Sequence, residues 1–194
     1  MEGQLSMQTM NVVKVAHKLL LDKLKVSYCI LDATAGNGND TIFLAENSPA
    51  QAKIYAFDIQ QSALNATKVK LQEGVFLEKV SLILASHDKV AEYINDNIDI
   101  AMFNLGYLPG GDHTITTVAE TTIAALEKTI ALLNVNGIIA ITAYAGHGAG
   151  AIEYNQLGMF LTNLPVRNFT VGCYSMINHS KTSPVLYLIE KVRS

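Results

Sequence analysis

A ten-residue segment, residues 32–41 (Asp-Ala-Thr-Ala-Gly-Asn-Gly-Asn-Asp-Thr), carries the residue types of a ligand-binding loop. It follows a short apolar run, residues 28–31, and its two glycines, Gly36 and Gly38, are spaced Gly-x-Gly. Glycine permits φ > 0 and lets a ligand approach the backbone where a Cβ atom would block it. A helix that begins after such a loop offers unpaired N–H groups. The pattern is typical of a loop that binds a nucleotide-like cofactor at the carboxyl end of a parallel strand.

Two positions of this loop indicate the type of cofactor. A dinucleotide fingerprint is Gly-x-Gly-x-x-Gly, and its third glycine allows close packing beneath a pyrophosphate. Thr41 occupies that third position here. Asp32 precedes the glycines, and an acid there repels a pyrophosphate but suits a ligand with an ammonium or sulfonium group. S-adenosylmethionine carries both groups and no phosphate, so the loop favours it. A nicotinamide dinucleotide stays open as the alternative.

Polar residues at the ends of the next two predicted strands extend the cofactor site. Asp58 ends the second strand, where a carboxylate accepts hydrogen bonds from the hydroxyls of a ribose. Ser86 and His87 follow the third strand, where polar groups reach an adenine edge. Asp40 also fits a purely structural role as a helix cap. The residues that we predict to contact the cofactor are Asp32, Thr34, Gly36, Asn37, Gly38, Asn39, Asp40, Thr41, Asp58, Ile59, Gln60, Ser86, His87 and Asn104.

A second segment, residues 104–112 (Asn-Leu-Gly-Tyr-Leu-Pro-Gly-Gly-Asp), follows the fourth predicted strand. Its Asn-x-x-Tyr start is similar to the Asn/Asp-Pro-Pro-Tyr signature of methyltransferases that act on amino nitrogens, although Leu105-Gly106 replaces the prolines. At these positions the side-chain oxygen of Asn104 is expected to accept a hydrogen bond from an amino group and so to aim the nitrogen lone pair. Tyr107 can pack against a flat base. An ordinary Gly/Pro loop is the alternative interpretation.

Apolar runs and helical patterns alternate along the chain, which is the signature of a parallel α/β sheet. Thr117-x-x-Glu120 resembles a capping box, with Val118 facing inward, and Asn136-Gly137 predicts a turn. The last two predicted strands have no helix between them and should pair as an antiparallel hairpin at one edge. The predicted strands are 28–32, 53–58, 80–84, 98–103, 138–144, about 166–174 and 184–190, and the helices include 7–25, 60–73 and 151–162.

Composition limits the class of protein. The 194 residues are about one domain's worth, so residues 1–194 are treated as a single domain. The hydrophobic fraction is 49% and the charged fraction 16%, which is enough apolar material to fill a core. The net charge of −3 argues against a surface coated in positive potential, although a local patch suffices for RNA.

The distribution of apolar residues bears on location and association. The first ten residues contain no apolar run of a signal peptide, and no stretch approaches 18 apolar residues, so we expect a cytoplasmic protein without a membrane segment. Met7, Met10, Val12 and Val13 give the first helix more apolar surface than one buried stripe requires, which hints at a homodimer contact.

The two chemistry-bearing segments resemble the MnmM (YtqB-type) family of class I S-adenosylmethionine-dependent methyltransferases. Further matches are residues 143–148 (Ala-Tyr-Ala-Gly-His-Gly), Glu153, Asn178-His179 with Pro184, and residues 189–191 (Ile-Glu-Lys). The resemblance covers essentially the whole chain. One departure is the Gly-Ala-Gly at residues 148–150, where the family's loop is expected to contain a proline.

The resemblance implies a fold and a substrate. The fold is a Rossmann-like α/β domain with a doubly wound, mostly parallel seven-stranded sheet and an antiparallel C-terminal strand. The substrate is tRNA at its anticodon region, where the side-chain amine of 5-aminomethyl-2-thiouridine at the wobble position is methylated. An rRNA, a protein or a small molecule stays open as the acceptor.

The expected chemistry is an in-line displacement that relies on holding nitrogen, methyl carbon and sulfur in line. Asn104, Tyr107 and Asp112 form the predicted catalytic set. Asn104 and Tyr107 position the amine, and Asp112, His147 or water accepts its proton. The residues that we predict to contact the substrate are Leu105, Gly106, Pro109, Gly110, Gly111, Tyr144, His147 and His179.

The remaining titratable residues favour structural roles. No two histidines combine metal-ligand spacing with a third ligand nearby, and the two cysteines make no metal motif, so no metal is predicted. His17 lies on an apolar helix face and is expected to be packed in the core or at an interface.

Overall fold

The computed structural model describes residues 11–108, 110–112, 114–144, 149–180 and 182–193, and it confirms the alternation of strands and helices. The α-helices in this part of the chain are α1 (Val12–Leu24), α2 (Asn39–Asn47), α3 (Gln61–Glu73), α4 (Val90–Tyr93), α5 (Ala119–Leu132) and α6 (Ala149–Thr162). The strands are β1 (Cys29–Asp32), β2 (Lys53–Asp58), β3 (Val80–Leu84), β4 (Ile98–Asn104), β5 (Leu133–Ala143), β6 (Phe169–Tyr174) and β7 (Val185–Lys191).

These strands form one sheet with the order β3-β2-β1-β4-β5-β7-β6. β1 pairs in parallel with β2 on one side and with β4 on the other, so the strand order reverses at β1. β7 is antiparallel to both β5 and β6, which confirms the predicted doubly wound sheet with a reversed C-terminal strand. Ligands of such sheets bind outside the carboxyl ends of the strands at this reversal. Three polar residues end strands there, namely Asp32, Asp58 and Asn104.

Helices cover both faces of the sheet, and each face has its own apolar core. α1 and α3 bury Leu20 and Leu71 on one face. α5 and α6 bury Leu126 and Leu157 on the other. Because water is excluded from both faces, the central strands are almost wholly apolar, and polar side chains are left to the strand ends.

The start of α5 differs from the prediction. The helix is preceded by Val118, whose side chain makes no capping hydrogen bond and is exposed rather than inward. Thr117 donates its hydroxyl to Glu153 Oε2 at 2.7 Å. The capping-box prediction is therefore wrong, because a buried carboxylate on α6 takes the hydroxyl that was expected to cap α5.

The predicted turn at Asn136-Gly137 lies inside β5, which begins at Leu133 rather than at residue 138. Asn136 has φ +63°, and the pairing of β4 with β5 shifts register between Ile98 and Ile100. Asparagine tolerates this left-handed conformation better than most residues. The Asn-Gly pair marks an irregularity within the strand instead of its boundary.

α1 begins at Val12 because Asn11 caps it, accepting hydrogen bonds from the N–H groups of Val13 and Lys14. The predicted helical residues 7–10 lie outside the described residues, and the homodimer contact stays a prediction. No helix among the described residues combines the length and the apolarity needed to cross a bilayer.

Gly38 is the position where the loop after β1 most requires glycine. It has φ +78°, and a Cβ atom there would lie 2.9 Å from the Cα of Thr67 on α3.

We expect Gly38→Ala to lower the free energy of unfolding by about 1–3 kcal/mol, because of left-handed strain and this backbone contact. Gly158→Ala is the matched control, since its Cβ meets open space within a helix and should stabilise by up to about 1 kcal/mol. Urea unfolding measures both, and equal effects of the two substitutions would contradict the account.

Candidate functional site

A cleft of about 1020 Å³ opens at the carboxyl ends of β1, β2 and β4. It brings together residues that are far apart in the sequence, as expected at the strand-order reversal. The predicted site residues that line it are Thr34, Gly36, Asn37, Asn39, Asp40, Asp58, Ile59, Gln60, Ser86, His87, Asn104, Leu105, Gly106, Tyr107 and Tyr144.

Asp32 lies beneath this cleft and is fully buried. Its Oδ1 accepts a hydrogen bond from the Thr34 N–H at 3.1 Å, and its Oδ2 accepts one from the Thr41 hydroxyl at 2.6 Å. Both ends of the glycine loop are therefore tied to one carboxyl group. The side chain does not line the cleft, so it shapes the loop, and its predicted contact with a cofactor stays a prediction. Gly38 and Thr41 also lie outside the cleft lining.

Asp58 is positioned by the backbone around it. Its Oδ2 accepts from the Gly36 N–H at 2.9 Å and its Oδ1 accepts from the Gln60 N–H at 2.8 Å. A carboxylate has about four acceptor positions, so both oxygens keep capacity for the two hydroxyls of a ribose. The side chain lines the cleft at the end of β2, where the sequence predicts this role.

His87 is a buried polar side chain whose second nitrogen lacks a partner. It is 8% exposed and lines the cleft, and its Nε2 has no hydrogen-bond partner in the described residues. Burial lowers the pKa of His87, so the ring is held in its neutral form. A buried polar atom without a partner is costly. A polar ligand edge in the cleft, such as that of adenine, fits this position.

Asn104 ends β4 at the centre of the cleft. Its backbone N–H donates to the Thr34 hydroxyl at 2.7 Å, which ties β4 to the glycine loop. Its side-chain Nδ2 donates to Asp40 Oδ2 at 3.4 Å. The interpretation of Asp40 as a helix cap is wrong, because Gly38 precedes α2 without a side-chain capping bond and Asp40 lies in the first turn. Because a carboxylate only accepts, the contact of Nδ2 with Asp40 leaves the amide oxygen of Asn104 as the group that is available to a ligand.

The loop after Asn104 is held from the side of α6. The Gly106 N–H donates to the Thr117 hydroxyl at 2.8 Å, and that hydroxyl donates to Glu153 Oε2. Glu153 Oε1 accepts from the Thr122 hydroxyl at 2.6 Å. Glu153 is 4% exposed, lines the cleft, and has its pKa raised by burial. In the sequence, Glu153 stands out only as one of the residues that resemble the family. Nothing in the residues next to it along the chain predicts that it contacts Thr117.

Two tyrosines stand at the mouth of the cleft. Tyr107 is about half exposed and Tyr144 is 40% exposed. Burial, followed by the charge of Asp40 and by Tyr107, raises the pKa of Tyr144, which places its ring near both groups. These two rings line the same cleft as Asn104, where a planar base is predicted to enter.

The other described residues that we predicted to contact the substrate are not among those that line the cleft. Asp112 is exposed, and its Oδ1 accepts from the N–H and hydroxyl of Thr114. Gly110, Gly111, Asp112 and His179 do not line the cleft, whereas Pro109 and His147 lie outside the described residues.

Sequence reasoning missed several lining residues, chiefly small or β-branched ones with no chemical signature: Ala33, Ala35, Ala85, Leu108, Thr114, Ile115, Thr116, Thr117, Val118, Thr121, Gly150 and Thr182. Among the described residues, no group of three or more His, Cys, Asp or Glu side chains is arranged to hold a metal ion.

The buried carboxyl of Asp32 makes the stability of the fold depend on pH. Burial, followed by the charge of Asp40, raises the pKa of Asp32 to about 7 from an ordinary value of 3.8. Between about pH 4 and pH 7 the folded protein therefore binds more protons than the unfolded chain, so this group's contribution to stability is lost as pH rises. We expect Asp32→Asn to be more stable than the wild type at pH 8, with a difference that shrinks toward pH 5.

Urea unfolding at four values between pH 5 and pH 8 measures this difference. Asp22→Asn, at a fully exposed position on α1, is the control and should show no such trend. A difference between Asp32→Asn and the wild type that is the same at every pH would contradict the expected titration.

Comparisons of the chain with known proteins identify its family. The family model described as "Putative rRNA methylase" matches residues 54–190. A curated protein of Arabidopsis thaliana named "tRNA (mnm(5)s(2)U34)-methyltransferase, chloroplastic" is 32% identical over 188 residues, which cover 92% of this chain and 68% of that protein.

Two solved structures share both the fold and much of the sequence. A protein described as a putative rRNA-methylase from Clostridium thermocellum is 38% identical, with a TM-score of 0.91 over 93% of this chain and 97% of the other. SMU.1697c from Streptococcus mutans, solved in complex with SAH, is 36% identical, with a TM-score of 0.85 over 93% of this chain and 98% of the other. A family model that matches most of the chain, and a relative that is similar over nearly all of it, show that the chain belongs to the rRNA methylase family of S-adenosylmethionine-dependent methyltransferases.

Proposed function

We propose that this chain methylates the side-chain amine of 5-aminomethyl-2-thiouridine at the wobble position of tRNA. The observation that carries the proposal is the placement of Asn104. Its amide oxygen is left to a ligand by the contact of its Nδ2 with Asp40, in a cleft that also presents Asp58 and two tyrosines. This arrangement suits an acceptor that is a flat base with a primary amine attached.

The residues of the cleft fit S-adenosylmethionine. Asp58, which lines the cleft, would accept the ribose hydroxyls, and Ser86 with the unpartnered Nε2 of His87 would meet the adenine. The loop between Thr34 and Asn39 lines the remaining wall. When bound, this cofactor supplies an electrophilic methyl group on a positively charged sulfur. Membership of the methyltransferase family sets aside the nicotinamide dinucleotide as the ligand.

The acceptor side of the cleft acts by positioning. Asn104 Oδ1 accepts a hydrogen bond from the amine and thereby directs the nitrogen lone pair into the cleft. Holding a nucleophile in a near-attack geometry contributes a large part of the barrier reduction in such displacements, and no covalent intermediate with the protein is required. Asp112, His147 or water remains the proposed acceptor of the ammonium proton.

Three observations support tRNA as the substrate. The relative from Arabidopsis thaliana is named for the same wobble nucleoside. The tyrosines at the mouth offer stacking surfaces to a base that is splayed out of a single-stranded loop, which is how RNA loops are commonly recognised. The net charge of −3 favours a small or locally contacted target, and an anticodon loop can be contacted locally. We propose that the protein acts in the cytoplasm.

A second candidate acceptor is a base in rRNA, because the matching family model carries that description. The same cleft and the same Asn104 serve an exocyclic amine of a nucleobase. The two candidates differ in the nucleic acid that is modified, so one experiment separates them.

The test is mass spectrometry of nucleosides after incubation of purified protein, S-adenosylmethionine and RNA from cells that lack the modification. We expect 5-aminomethyl-2-thiouridine of tRNA to gain one methyl group, while rRNA nucleosides stay unchanged. A methyl gain only in rRNA would replace the tRNA proposal by the second candidate, and no gain in either RNA would contradict both.

The same assay includes Asn104→Ala and a test of cofactor binding. We expect this variant to lose about 100-fold or more of turnover, because the amine is no longer aimed. Its affinity for S-adenosylmethionine, measured by calorimetry, should change far less. Turnover near the wild-type value in Asn104→Ala would contradict the assigned role of Asn104.

The contact between Thr117 and Glu153 gives a separate prediction. Thr117→Val keeps the shape of the side chain but removes the hydroxyl that accepts from the Gly106 N–H and donates to Glu153 Oε2. We expect lower turnover with little change in cofactor affinity, and a loss of about 1–3 kcal/mol of stability. Thr162→Val is the matched control, because that hydroxyl only contacts backbone carbonyls at the end of α6. Equal turnover in the two variants would contradict the role of Thr117 in holding the acceptor loop.

A further inference from the structure

Asn104 is connected to α1 by two side-chain contacts that reach outside the cleft. His17 on α1 has its Nε2 at 2.7 Å from Asp40 Oδ1. The other carboxylate oxygen, Asp40 Oδ2, accepts from Asn104 Nδ2 at 3.4 Å. The three residues belong to α1, α2 and β4, so the contacts join three separate elements.

Hydrogen-bond chemistry fixes the direction of each contact. An ionised carboxylate has no proton to donate, so His17 presents Nε2–H and Asn104 presents Nδ2 to Asp40. The amide group of Asn104 has one donor end and one acceptor end. With its donor end on Asp40, its acceptor end is directed away from Asp40 and toward the ligand.

His17 is itself held in place. Its ring stacks on Phe43 of α2 with centroids 3.7 Å apart and an interplanar angle of 2°. The side chain of Asp40 is 7% exposed, whereas that of His17 is 21% exposed. A carboxylate that is this deeply buried is costly unless donors surround it, so Asp40 depends on His17 to keep its position.

We propose that His17 is a positioning residue for catalysis: through Asp40 it sets the orientation of the Asn104 amide, and so the aim of the acceptor amine. His17 does not line the cleft, and the inference rests on the proposed role of Asn104. The expectation from the sequence, that His17 is only packed in the core or at an interface, accounts for the stacking on Phe43 but not for the contact with Asp40.

Two substitutions separate packing from positioning. His17→Phe keeps a flat ring against Phe43 but removes the N–H that Asp40 accepts. His17→Gln loses the ring but places a side-chain N–H near the position of Nε2. If His17 served only to pack, His17→Phe would be the milder change. If it positions Asn104, His17→Gln is the milder change.

The kinetic test uses the full chain with tRNA and S-adenosylmethionine. We expect His17→Phe to lower kcat by about 10-fold to 100-fold with KM for the cofactor nearly unchanged, and His17→Gln to recover most of the loss. Leu19→Phe, at an exposed position two residues along α1, is the control and should retain the wild-type kcat. Adding His17→Phe to Asp40→Asn should cost little more than Asp40→Asn alone, because both act through the same contact. A wild-type kcat in His17→Phe would overturn the inference.

A second readout needs no substrate. In ¹⁵N-labelled protein, the side-chain amide resonances of Asn104 are identified by their loss in Asn104→Asp. We expect them to shift in His17→Phe and to return toward the wild-type position in His17→Gln. If the wild type methylates no RNA, the proposed function fails, and these resonances alone decide the inference. Unchanged Asn104 resonances in His17→Phe would overturn it.

Discussion

The site depends on one buried carboxyl group, that of Asp32 at the end of β1. Its two oxygens accept hydrogen bonds from the Thr34 N–H and the Thr41 hydroxyl. The two ends of the loop are therefore joined through a side chain that is buried from water. Thr34 in turn accepts the backbone N–H of Asn104. The glycine loop and the end of β4, which carries Asn104, are therefore aligned through the same group, and a shift of one would move the other.

Asn104 and the loop after it are each held by further side-chain contacts. Asp40, supported by His17, contacts the Asn104 side chain. Thr117, supported by Glu153, accepts the Gly106 N–H. In both places a buried carboxylate, Asp40 or Glu153, accepts hydrogen bonds from side-chain N–H or O–H groups. These bonds fix the orientation of the donor groups as well as their distance from the carboxylate. A displacement reaction that proceeds by alignment requires such rigidity more than it requires acid or base strength.

The sequence was sufficient to predict the fold and the position of the cleft, because glycine spacing, strand-end acids and apolar runs act locally. The doubly wound, mostly parallel seven-stranded sheet and the reversed β7 were confirmed, as were the ends of β2 and β3. The start of α5 was predicted wrongly, since Thr117 serves Glu153 from another element. The roles proposed for His17 and Glu153 depend on tertiary contacts, with Asp40 and Thr117 respectively. No local pattern contains that information.

The most direct measurement of the central claim is a crystal structure of the protein with S-adenosylhomocysteine and an anticodon stem-loop that carries 5-aminomethyl-2-thiouridine. We expect the amine nitrogen to lie at about 3 Å from Asn104 Oδ1, facing the cofactor sulfur, with Asn104 Nδ2 still on Asp40. An amine that contacts other residues, or an Asn104 amide turned with its Nδ2 toward the amine, would contradict the account.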